Sequence, residues 1–176
     1  MRKSHIWLII ASVLLVAVSV GVTVALLVAS SNPVVNTFTI GGVDITLTET
    51  TTEYKLTPGA TVAKDPTVTV LANSEKSWLF VKVEKEQGFD AYCTYELQDG
   101  WTALEGHGGI YYQLVEKSSE NQAFPVLKNN CVLVKDTLTE EQLNAITANP
   151  TLTVTAYAIQ DDGLGTATAA WQALNQ

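Results

Sequence analysis

From residue 6 to residue 29 the chain is an unbroken run of Ile, Val, Leu, Ala, Ser, Gly and Thr with one Trp and no charge. About 20 apolar residues in a helix span a bilayer core, whereas the apolar part of a signal peptide needs only about 7–15. The run is therefore long enough to cross a membrane. Beyond Ser31 the pattern changes to period-two alternation, the signature of strands with one face in a core and one face wet. Phe38 and Ile40 alternate with Thr37 and Thr39, and Val43, Ile45 and Leu47 alternate with Asp44, Thr46 and Thr48, with Gly41-Gly42 between two strands read as a pair. The same alternation recurs at Val68 and Val70, at Leu79, Val81 and Val83, at Val132 and Val134, and from Leu152 to Ala158. Turn signals separate these segments, among them Pro58-Gly59, Asp65-Pro66, Asp99-Gly100, Asn129-Asn130 and Asp162-Gly163.

Short strands without intervening helical periodicity predict an all-β fold, an antiparallel β-sandwich of jelly-roll type, preceded by the N-terminal hydrophobic helix. Two short helices interrupt it. Thr139-Glu140-Glu141-Gln142 fits a capping box, with Leu143 and Ile146 facing inward, and its place is a crossover. The Ala-rich tail from Thr166 to Leu174 puts Trp171 and Leu174 on one face, which suggests a helix packed across a sheet edge or sandwich end. Trp78 and Phe80 fall opposite the Leu79, Val81 and Val83 face. A strand apolar on both faces must be central or covered by a partner.

Charge sets the orientation and narrows the partners. Arg2 and Lys3 precede the apolar run and no Lys or Arg follows until Lys55, so the positive-inside bias leaves the N-terminus in the cytoplasm and the rest outside. The best local match to a signal peptidase site is Val28-Ala29-Ser30, with the cut between Ser30 and Ser31. Cleavage frees a secreted domain; retention makes residues 6–29 an anchor. The division is thus residues 1–30 as signal peptide or transmembrane anchor and residues 31–176 as one extracellular domain. That domain holds 8 of the 10 basic residues and all 18 acidic ones, about −10 in net charge, and no arginine. Nucleic acid and anionic lipid headgroups are poor partners for such a surface.

Candidate chemistry is sparse. Cys93 and Cys131, both exported, suit a structural disulfide, with a nucleophilic Cys93 served by His107, or two free thiols, as alternatives. His107 is the domain's one histidine, so no two-histidine zinc site can form, and Gly106-His107-Gly108-Gly109 reads as a loop tip. Asp161-Asp162-Gly163 lacks the spacing of a calcium loop and reads as an exposed turn, while Glu140 and Glu141 complement a helix N-terminus. No glycine loop opens a helix to cradle phosphate. Trp78, Phe80, Tyr92, Tyr95, Trp101, Tyr111 and Tyr112 fit either a glycan-stacking surface or core packing. The expectation is a domain that is not an enzyme, with no metal and no cofactor.

Several stretches carry a resemblance. Residues 35–47, Tyr54-Lys55-Leu56-Thr57-Pro58-Gly59, residues 64–70, Leu79-Phe80-Val81-Lys82-Val83, Trp101-Thr102-Ala103-Leu104, Tyr111-Tyr112 and residues 151–160 with Trp171 behind resemble Gram-positive proteins exported through the SipW-type signal peptidase, the TasA/camelysin-like group. The resemblance implies a secreted jelly-roll subunit which, in TasA-like members, assembles into extracellular fibres of the biofilm matrix. Where members carry an Ala-Tyr-Phe-Thr-like stretch near the processing site, this chain reads Ala25-Leu26-Leu27-Val28-Ala29-Ser30-Ser31. The physical route to a fibre is strand addition, an extended segment of one subunit pairing with the sheet edge of the next. The candidate donor is Val34, Val35, Asn36, Thr37, Phe38, Thr39 and Ile40, which can equally be an ordinary first strand. The expected partner is self or a related fibre subunit, with signal peptidase during export; the alternative is a membrane-anchored domain that binds a protein or glycan.

Overall fold

A computed structural model describes residues 36–50, 56–146 and 150–175. The hydrophobic segment 6–29, the Ser30/Ser31 junction and Val34 and Val35 of the donor segment lie outside the described residues. Residues from Val34 to Gln176 belong to one compact unit, and the fold within it is all-β.

Eleven strands are described: β1 Asn36–Ile40, β2 Ile45–Thr48, β3 Thr61–Ala63, β4 Thr67–Val70, β5 Ser77–Glu86, β6 Cys93–Thr94, β7 Thr102–Ala103, β8 Ile110–Val115, β9 Gln122–Pro125, β10 Cys131–Val134 and β11 Thr151–Gln160. Helices α1 Phe89–Tyr92, α2 Glu140–Asn144 and α3 Ala167–Leu174 lie between or after them. The strands form a five-stranded sheet ordered β1-β11-β5-β8-β7 and two three-stranded sheets, β2-β4-β9 and β3-β10-β6. Pairing is antiparallel except between β1 and β11, which run parallel. Backbone bonds extend each small ladder by one step, from Val126 N–H to Pro66 O (2.9 Å) beyond β4/β9 and from Lys64 N–H to Asn130 O (2.8 Å) beyond β3/β10.

Alternation places one face of each sheet in a common core. Leu79, Val81 and Val83 of β5, Val154 and Ala156 of β11, Leu47 of β2, Val68 of β4 and Val132 of β10 all meet there. The other face of the five-stranded sheet is apolar too. Trp78, Phe80, Ile110 and Ile159 pack beneath Ala167, Ala170 and Trp171 of α3. The doubly apolar strand β5 is the middle strand of the sheet, and the chain's own last helix covers it. The tail thus crosses a sheet face rather than an edge or an end, because that face presents the aromatic rings α3 needs to bury Trp171. Thr166 caps α3 by accepting from Ala169 N–H at 3.2 Å.

The capping box is formed. Thr139 Oγ1 accepts from Gln142 N–H (3.2 Å) and Gln142 Oε1 accepts from Thr139 N–H (2.9 Å). Helix α2 carries the chain from β10 in a small sheet to β11 in the large one, a crossover as its position suggested.

The pairing of β1 with β2 does not occur. β1 seats against β11, with Asn36 opposite Thr155 and Ile40 opposite Ile159, while β2 pairs with β4 in another sheet. Gly41-Gly42 is a crossing between sheets, not a hairpin turn. Phe38 and Ile40 are consequently not core residues of the shared interior; they lie on the α3 side and are 54% and 46% exposed.

Candidate functional site

The candidate donor segment is described from Asn36 onward, as the edge strand β1. Among the described residues no strand pairs with its other side, and its sequence Asn-Thr-Phe-Thr-Ile carries no charge, no proline and no bulge of the kind that normally blunts an edge. Its side chains from Thr37 to Ile40 are all exposed. One ring contact holds it down: Phe38 stacks on Tyr157 of β11 with centroids 5.2 Å apart and planes at 15°. Tyr157 in turn meets Trp171 edge-on at 5.2 Å, and Trp171 meets Phe80 at 5.2 Å. The edge strand is thereby connected through two aromatic contacts to the helix that closes the outer face.

At Gly41 the chain leaves the sheet. Gly41 has φ +87°, and a side chain there would come within 2.8 Å of Gln160 Cβ. The Gln160 carboxamide accepts from Gly42 N–H at 2.9 Å and donates to Asp162 Oδ1 at 3.1 Å. Gly42 O accepts from Glu75 N–H at 2.9 Å. The next residue, Val43, is fully buried, and Asp44 is clamped by Ser74 Oγ and by Leu71 N–H.

The cysteines are apart rather than bridged, and both are free thiols. Cys93 lies opposite Val134 on β10 and shares its buried face, whereas Cys131 sits three residues earlier on β10, opposite Ala63. Three residues of strand is about 10 Å and an odd step turns the side chain to the other face, beyond the roughly 7 Å Cα separation a disulfide tolerates. Cys93 is not placed for nucleophilic work either. Burial pushes its thiol up, only partly opposed by Lys135, and it belongs to the shared core. His107 lies on the other side of the large sheet, its ring 6.4 Å from that of Trp171.

The two aspartates of the Asp161-Asp162-Gly163 turn are engaged structurally. Asp161 Oδ1 accepts from Trp78 Nε1 at 3.1 Å, and Asp162 holds Gln160. Among the described residues no three His, Cys, Asp or Glu side chains converge as a metal site.

The aromatic residues do not form one surface. Trp78, Phe80 and Tyr112 belong to the outer cluster under α3, whereas Tyr92, Tyr95, Trp101 and Tyr111 pack against the shared core. Strand parity separates Tyr111 from Tyr112, and Trp101 Nε1 is satisfied by Pro125 O at 2.9 Å. Tyr95 is so enclosed that burial, reinforced by its hydrogen bond with Tyr111, pushes its hydroxyl far above the usual tyrosine range.

Among the described residues the basic groups make no face of their own. Lys64, Lys76, Lys82, Lys85, Lys117 and Lys128 each pair with a carboxylate, and Lys135 Nζ donates to Asp90 O at 2.6 Å. What sequence reading missed is the role of Gln160, a residue that looks like the ordinary polar end of a strand. Its only sequence signal is its position directly before Asp161-Asp162-Gly163. Comparisons with protein-family models, with curated proteins and with solved structures gave no match.

Proposed function

We propose that this protein is a secreted or surface-anchored structural subunit, or accessory, of an extracellular fibre of biofilm-matrix type, assembled by β-strand addition. In this reading the three sheets are a jelly-roll sandwich and the N-terminal segment delivers the domain across the membrane. The observation that carries the reading is β1. It is an uncharged, unprotected edge strand at the N-terminal end of the compact unit, with two large apolar side chains half exposed. A strand so placed can leave β11 and be replaced by the same strand of a neighbour, in the same parallel register. Such a contact is head-to-tail and need not close into a ring. Cutting between Ser30 and Ser31 gives the strand a free leading end. The acidic surplus opposes association elsewhere on the surface.

The test is electron microscopy with sedimentation of a chain beginning at Ser31, beside one beginning at Val43, which retains the first core residue and lacks β1. Filaments from the longer chain alone support the reading. Monomers from both refute homopolymerisation. The uninterrupted apolar run 6–29 favours a second reading, a membrane-anchored domain that binds a partner protein or glycan. That reading requires the uncut chain in membranes, which a mass measurement of the mature protein decides.

A further inference from the structure

We propose that β1 is a hinged strap, with Gly41-Gly42 as its hinge and the Gln160 carboxamide as its latch. The inference takes its purpose from the strand-exchange reading, although its mechanics stand on the local geometry.

The boundary between loose and fixed chain is sharp. Every described side chain from Thr37 to Gly42 is exposed, whereas Val43 is 1% exposed. Asp44 is held on both backbone groups, its N–H donating to Ser74 Oγ at 3.1 Å and its carbonyl accepting from Leu71 N–H at 2.9 Å. Opening β1 therefore has to be absorbed by Gly41 and Gly42. Gly41 already occupies a left-handed conformation that glycine adopts without cost and other residues resist. Neither glycine has a side chain to bury, so swinging the strap exposes nothing new at the pivot.

One side chain spans that pivot. Gln160 is the last residue of β11, on the strand that β1 pairs with, and its Oε1 takes the Gly42 amide proton. Asp162 fixes the orientation of the carboxamide by accepting from Nε2, which leaves Oε1 pointing at Gly42. The packing is close enough that Gln160 Cβ fills the space a side chain on Gly41 would need. The hydrogen bond is solvent-exposed, so it is strong enough to bias the closed state and weak enough to be broken. Local opening of this kind is read directly by amide exchange.

The experiment is hydrogen exchange with mass spectrometry on the chain beginning at Ser31 and on its Gln160→Ala and Asp162→Ala variants, at a concentration where all are monomeric. With the latch removed, amides of residues 36–40 exchange roughly 5- to 10-fold faster, as loss of one net hydrogen bond predicts. Asp162→Ala gives a smaller acceleration at the same amides. Residues 43–48 and the β5–β8 pairs keep their wild-type rates in both variants. Unchanged exchange at 36–40 in Gln160→Ala overturns the latch. Equal acceleration of residues 36–40 and 43–48 overturns the hinge. Filament formation is then followed separately: faster exchange without faster assembly keeps the strap and contradicts the fibre reading, whereas filaments from a chain with unaltered exchange keep the fibre and remove the latch.

Discussion

At the scale of single residues, two of the buried polar side chains, Lys64 and Ser77, have opposite energetics. Lys64 and Glu49 form an ion pair with side chains only 6% and 10% exposed. Removing one partner strands the other charge, so Glu49→Gln is expected to cost about 3 kcal/mol in urea unfolding, and an apolar replacement of both to recover most of it. Ser77 Oγ is the converse case. It is a buried hydroxyl that no hydrogen bond among the described residues satisfies, and Ser77→Ala is expected to stabilise by about 1 kcal/mol in the same measurement. The thiols give a third expectation. In native buffer a thiol reagent labels Cys131 and not Cys93, and both react after unfolding, since Cys93 is buried and its thiol is held protonated. The native fold binds the Cys93 proton more tightly than the unfolded chain does. Its contribution to stability is therefore present at neutral pH and falls as pH rises past the ordinary thiol range. A Cys93→Ala variant should lose that part of the alkaline slope. None of these assignments was legible from composition: two cysteines in a chain expected to be exported suggest a bridge, and only register shows that Cys93 and Cys131 face opposite ways.

Among the elements, alternation locates several strands but not β3, where Val62 is buried between exposed Thr61 and Ala63, and it does not foresee the exposure of Phe38 and Ile40 on β1. β2 and β4 lie where Ile, Leu and Val alternate with Thr, β5 and β11 keep that alternation over part of their length, β10 is marked by Val132 and Val134, and the box at Thr139 announces α2 by its side-chain chemistry alone. β8 was missed. Its Ile-Tyr-Tyr-Gln-Leu-Val sequence sends Tyr111 to the core and Tyr112 to the α3 side, so it lacks a polar face to set the period. The partner of β1 was equally invisible, because alternation reports which way side chains point and not which strand lies beside them. Helix α3 shows what the two-faced strand requires. Trp171→Ala removes the contact shared by Phe80 and Tyr157 and should cost about 3–5 kcal/mol, read as a lowered denaturant midpoint. The same substitution loosens the seat of Phe38, since Tyr157 lies between them, and it should speed amide exchange in β1 more than in β2.

For the whole molecule, the physical pattern among the described residues is a core packed on both faces of the large sheet with one exposed, uncharged edge strand. Its core is closed from both sides of the large sheet, six of its described lysines pair with carboxylates, and its net charge repels copies from one another. Against that background β1 carries two of the four exposed large apolar side chains among the described residues, Phe38 and Ile40, on a strand that pairs on one side only. In the proposed strand-addition reading, that combination is what links the fold to assembly. The most direct test of strand exchange is a cross-linking experiment on two chains beginning at Ser31, one carrying Phe38→Cys and the other Tyr157→Cys, each with Cys131→Ser. Positions 38 and 157 are register partners on neighbouring strands, about 4.8 Å apart and within disulfide range. Mixed in equal amounts under assembly conditions and then oxidised, they should yield disulfide-linked hetero-pairs, because the β1 of one molecule seats on the β11 of another. Oxidised mixtures that hold only unlinked chains, while a single chain carrying both cysteines closes an internal bridge, would show that β1 never leaves its own domain and would contradict the account.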